Sequence, residues 1–94
     1  GRYMARRTRL EVLGSILGIC RGEGSSKTRI VYQVNLNFKN AGAYLKWLTE
    51  KGYLERADRL YKLTPAGEEM LKELNEINSI LQLDAPQAKK EISD

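Results

Sequence analysis

Three groups of side chains in this chain could do chemistry, and each is suited to holding anions. Ser26, Lys27, Thr28 and Arg29 put two hydroxyls and two cations in consecutive positions. Lys39, Asn40, Ala43 and Lys46 recur at spacings that share the outward side of a helix. Arg56 and Arg59 flank Ala57-Asp58. Hydroxyls and cations at a helix start suit phosphate oxygens, and amide and ammonium donors along a helix suit base edges in a DNA groove.

What is missing narrows the chemistry further. There is no histidine, which removes the commonest general base and the commonest metal ligand together. No Gly-rich phosphate loop and no Cys or His cluster occurs. The chain therefore reads as no enzyme, with no cofactor, no metal and no small-molecule ligand expected. The single cysteine, Cys20, excludes an internal disulfide, suits a reducing compartment and reads as a small buried hydrophobe.

Charge is divided along the chain. Residues 1–62 hold 13 Lys and Arg against 5 Asp and Glu, whereas residues 63–94 hold 3 against 7. A one-sided basic segment favours a polyanionic partner, most often nucleic acid. Ninety-four residues make one small domain, 41% hydrophobic and 30% charged, as soluble globular chains are. No apolar run reaches the roughly 18 residues of a membrane span, and the start leads into an ordinary amphipathic segment rather than a secretory signal. A cytoplasmic, nucleoid-associated location is expected.

The elements that must position these groups follow from caps and periodicity. Thr8 and Glu11 have capping-box spacing before a helix at about 8–20, with Leu10, Leu13, Leu17 and Cys20 on one face, broadened by Ile16. Gly14 and Gly18 stand one turn apart, a spacing that either permits a close helix crossing or has no packing role. Residues 22–25 form a loop. Ser25 or Ser26 caps a short helix whose apolar face is Ile30, Val31 and Val34. Asn35-Leu36-Asn37 is a turn with Leu36 plugged inward, and Asn37 caps a helix at 38–51 that ends on Gly52. On it Phe38, Ala41, Leu45 and Leu48 point inward. Tyr53–Arg56 and Arg59–Leu63 read as two strands. Ala57-Asp58 lacks the glycine of favoured tight turns, so a longer, looser tip is expected.

Thr64 and Pro65 open a last helix. Met70, Leu74, Ile77 and Leu81 recur on it as a coiled-coil seam of about two heptads, flanked by Leu71 and Ile80. Pro86 ends or kinks it near Ala85. The order helix, short helix, turn, helix, hairpin, long helix is that of a winged helix-turn-helix, α+β and mostly helical. Residues 1–63 form the DNA-binding part and residues 64–94 the dimerisation helix and tail. Helix 38–51 is expected in the major groove and hairpin 53–63 on the DNA backbone.

Lys27-Thr28-Arg29-Ile30, then Asn35-Leu36, Tyr44-Leu45 with Leu48, and Leu63-Thr64 with Gly67 carry a resemblance. Over residues 8–82 the chain resembles the small archaeal winged-helix DNA-binding proteins that dimerise through a C-terminal antiparallel coiled coil. The resemblance implies duplex DNA binding of little or no sequence specificity, in a chromatin-type or regulatory role. It also implies a homodimer whose two wings face DNA. Pro86 departs from it by shortening the last helix.

Other expectations compete with or limit this one. Arg29 meets either phosphate or an acid such as Glu50, and Arg6, Arg7 and Arg9 form either an arm along the backbone or an ordinary basic terminus. Glu50 and Glu55 repel phosphate and bound the footprint. Trp47 is expected to pack beneath the last helix, since its area favours burial. The alternative function is a winged-helix protein–protein adaptor in transcription machinery, toward which Trp47 and Ala43 lean.

Overall fold

The computed structural model describes residues 8–84, with 81–84 as backbone only. The elements are α1 (Arg9–Ile19), α2 (Lys27–Val34), α3 (Phe38–Glu50), β1 (Leu54–Ala57), β2 (Leu60–Leu63) and α4 (Pro65–Asp84). The arms at Arg6 and Arg7 and the tail from Ala85, including Pro86, lie outside the described residues.

Each helix starts where its cap is. Thr8 accepts from the Glu11 amide while the Glu11 carboxylate accepts from the Thr8 amide, closing the capping box on α1. Ser26 accepts from Arg29 N at 3.2 Å to start α2, and Asn37 accepts from Asn40 N at 2.7 Å to start α3. Between them Asn35 takes the left-handed conformation, φ 63, which lets the chain turn the corner without a glycine. Thr64 accepts from Gly67 N to start α4.

The core draws on every element, β2 through the partly buried Tyr61 and Leu63. Val12, Ile16 and Leu17 of α1 meet Ile30 and Val34 of α2, Leu45 and Leu48 of α3, and Leu54 of β1, with Cys20 among them. Leu71 and Leu74 of α4 close the same core, so the first half of the last helix is part of the domain. The buried face of α1 keeps the expected Ile16, Leu17 and Cys20 but is shifted at its start: Val12 points in and Leu10 stands exposed. Helix α1 packs against α2 and α4 at once, so its inward face is fixed by two neighbours rather than by a single stripe. Its glycines serve no close crossing. A Cβ on Gly14 would make an ordinary 3.9 Å contact with Leu74, and one on Gly18 would touch nothing.

The hairpin is tighter than expected. Ala57 pairs with Leu60, leaving only Asp58 and Arg59 at the tip, and Asp58 supplies the left-handed residue at φ 63. Asp, like Asn, tolerates that conformation, which the absence of glycine had concealed. On the far edge of β2, Ser25 exchanges two backbone bonds with Tyr61, at 3.0 and 2.7 Å. The expected loop thus ends in a one-residue third strand that ties the start of α2 to the hairpin.

Candidate nucleic-acid interface

Helix α3 offers its outer face to solvent along its whole length. Lys39, Asn40, Ala43, Lys46, Trp47 and Glu50 are all exposed, while Ala41, Leu45 and Leu48 are buried. Phe38 departs from the expected inward set: it is 53% exposed, with the Lys27 ammonium 4.5 Å from its ring centre. At the first position of α3 its side chain reaches back over α2 rather than down into the core. At about 100° per residue, Lys46 and Asn40 lie on opposite flanks of the outer face.

Each flank borders a different recess. On the hairpin side, Lys27, Lys46 and Arg56 line one depression of about 330 Å³, together with Gly42, Thr49, Glu50 and Tyr61. The Arg56 guanidinium lies 4.6 Å over the Tyr61 ring and donates to its hydroxyl at 3.0 Å. Cross-strand pairing puts the two residues opposite each other. On the α1 side, Arg9, Val12, Leu13, Asn35, Leu36, Asn40, Ala43, Tyr44 and Trp47 line a groove of about 730 Å³.

The expected site residues therefore divide. Lys27, Lys46 and Arg56 come together, from three separate elements. Asn40 and Ala43 open onto the other groove. Ser26 spends an acceptor on its cap, and Thr28, Arg29, Lys39 and Arg59 stand exposed outside both recesses. Among the described residues Arg29 has no acidic partner, Glu50 included. Sequence reasoning missed Phe38 and Tyr61 as ring platforms for cations and Gly42 as the gap beside the Lys27 ammonium. The Arg56–Tyr61 pairing becomes visible once the two-residue tip sets the register.

Trp47 does not pack beneath the last helix. It is 43% exposed on the α1-side flank, tilted at 41° to Tyr53 with ring centres 6.1 Å apart, and the Lys51 ammonium lies 6.0 Å from its ring. Thr64 alone joins β2 to α4, and the last helix packs chiefly against α1. The expected coiled-coil seam is split as well. Leu74 is 7% exposed and packed in the core, Met70 is half-buried, Ile77 is 46% exposed, and the Leu81 side chain lies outside the described residues.

Known proteins are similar to this chain in sequence and in fold. A family model described as winged helix-turn-helix matches residues 6–82. The uncharacterized protein MJ0287 of Methanocaldococcus jannaschii is 30% identical over 76 residues, covering 81% of this chain and 78% of that protein. MJ0290 of the same organism is 28% identical over 79 residues, 84% of this chain, which spans only 37% of that protein's length. Sso10a-2, a DNA-binding protein from Sulfolobus solfataricus, superposes with a TM-score of 0.72 at 26% identity, over 93% of this chain and 94% of that one. The transcriptional regulator Tm0710 from Thermotoga maritima shares the fold alone, with a TM-score of 0.55 at 20% identity, over 99% of this chain and 72% of that one.

Proposed function

Because this chain belongs to the winged helix-turn-helix family, we propose that it is a non-enzymatic protein that binds double-stranded DNA, in a regulatory or chromatin-type role. The observation that carries this is the convergence of Lys27, Lys46 and Arg56 from α2, α3 and β1 on one depression beside the exposed face of α3. A phosphate backbone running past that depression meets α2 and the hairpin while α3 enters the major groove. Lys39 and Asn40 then face base edges, and Arg29 and Arg59 extend the phosphate contacts to either side. The DNA-binding Sso10a-2, alike over nearly the whole chain, supports the same assignment.

A homodimer through α4 fits the exposed apolar residues on its second half, Ile77 and Ile80, the latter 56% exposed. They take the place of the seam drawn through Leu74. Among the described residues no helix is long and apolar enough to cross a membrane. A nucleoid-associated location follows from the proposed partner.

Titration of a random duplex at several salt concentrations tests this. With the five phosphate-facing cations Lys27, Arg29, Lys46, Arg56 and Arg59 contributing about 0.9 each, log affinity should fall against log salt with a slope of about −4 to −5. A fourfold rise in salt then weakens binding by roughly 300- to 1,000-fold. Replacing Lys39 and Lys46 with Ala weakens it at every salt concentration with the fold intact. Absence of binding at low salt overturns the assignment. The exposed Trp47 and its groove favour a second reading, the protein–protein adaptor, for which the same titration gives no salt-dependent duplex binding.

A further inference from the structure

The depression under the hairpin holds more organisation than a basic surface requires. We propose that Lys27, Lys46 and Arg56 form one discrete site for a single phosphate group, and that Gly42 is the position that keeps it open. The natural occupant, a backbone phosphate, rests on the duplex-binding reading above; the anion site itself rests on the geometry alone.

Three cations share this recess with a single lining carboxylate, Glu50. Like charges brought together repel, and an anion seated between them removes that cost. Two of the three are held in place before any ligand arrives. The Lys27 ammonium sits over Phe38 and the Arg56 guanidinium over Tyr61. The Tyr61 oxygen accepts from Arg56, which leaves the phenolic proton to donate to a phosphate oxygen. Charges fixed in advance lose less freedom on binding.

The first turn of α2 points the same way. Helices α1 and α4 carry Glu11 and Glu68 in their first turns, where the helix dipole favours negative charge. Helices α2 and α3 carry no acid there, and α2 places Lys27 and Arg29 instead. No acid of its own therefore offsets the positive end of α2, from whose first turn Lys27 reaches the recess.

Gly42 makes the crossing possible. A Cβ there would lie 3.0 Å from Lys27 Nζ and 3.7 Å from its Cε. Alanine needs the flexible ammonium to yield by a few tenths of an ångström. A leucine fills the space through which Lys27 passes and displaces the ammonium. Gly42 is thus a positioning residue that acts through Lys27.

The test compares Lys27→Ala, Gly42→Ala, Gly42→Leu and the Lys27→Ala/Gly42→Leu double variant by duplex titration across salt. Lys27→Ala should lower the salt slope by about 0.9. Gly42→Leu should lower it equally, the double variant should bind like either single one, and Gly42→Ala should keep the parental slope. Both Gly42 variants should hold or raise the melting temperature, since Ala and Leu are better helix formers than Gly, which separates lost binding from lost folding. A Gly42→Leu protein with parental affinity and slope, or effects that add independently, overturns the site while the duplex reading stands. In a second arm, inorganic phosphate is titrated into the full chain by NMR. Amide shifts at Lys27, Gly42 and Arg56 should saturate in the parent and vanish in Lys27→Ala; unsaturable shifts spread over the surface overturn a discrete site. Saturation in a chain that binds no duplex supports the site and removes the duplex reading instead.

Discussion

Gly67→Ala puts the joint between hairpin and last helix to a quantitative test. Gly67 is the third residue of α4, where alanine by helix propensity alone should stabilise by about 1 kcal/mol. The structure reverses that sign. A Cβ on Gly67 would overlap the Tyr53 carbonyl oxygen and lie 2.6 Å from Leu63 Cδ1. The overlap is with backbone, so α4 and the chain entering β1 must part. That same joint is held by Thr64 N donating to Tyr53 O at 3.2 Å and Thr64 Oγ1 donating to Gly52 O at 2.6 Å. Losing one or two such bonds costs about 1 kcal/mol each, and overpacking adds about 1–3 kcal/mol. Set against the propensity gain, the net loss is about 1–4 kcal/mol, with a midpoint of about 2.5. At roughly 4–8 °C per kcal/mol for a domain of this size, the melting temperature should fall by about 10–20 °C. Reversible thermal melts followed by circular dichroism measure it. Gly18→Ala is the matched control, because its Cβ meets nothing, and it should melt about 4–8 °C higher than the parent. A Gly67→Ala protein that melts at or above the parental temperature refutes the close approach.

Two further perturbations follow from burial. Burial pushes the Cys20 thiol up to about 11 from an ordinary 9.0, so thiol reagents should spare it in the folded chain at about pH 8 and label it on unfolding. The unfolded chain ionises first, so the stability linked to this thiol is whole below pH 9.0 and lost as pH rises through about 11, roughly 2–3 kcal/mol in all. A Cys20→Ala protein should lack that part of the alkaline loss in denaturant titrations; an identical loss contradicts it. For the proposed dimer, Ile77→Asp with Ile80→Asp should halve the mass seen by light scattering and leave the melt nearly unchanged. Leu74→Asp instead buries a charge in the core and should unfold the chain. A double variant of unchanged mass discards the Ile77–Ile80 surface.

Much of this molecule was legible in local chemistry. The caps Thr8, Ser26, Asn37 and Thr64 each sit at the residue from which a helix starts. Asn35-Leu36-Asn37 turns the corner between α2 and α3 because Asn tolerates the left-handed conformation on its own. The outward set of Lys39, Asn40, Ala43 and Lys46 is exposed because a period of 3.6 residues leaves them opposite Leu45 and Leu48. These are effects of neighbours within a few positions in the chain, so residue type and spacing determine them.

What only the tertiary structure decided depends on residues distant in sequence. Phe38 looked like a core residue by spacing, but Lys27 from α2 crosses to it through the gap at Gly42. Leu74 has the period of a seam between chains and serves the core of its own, because α1 takes up that side of α4. Trp47 is left on the rim of a groove since α4 packs elsewhere. Periodicity states that a face must be covered and is silent about what covers it. Which partner arrives, and which cations it brings beside Lys46, is settled when helices and hairpin close on one another.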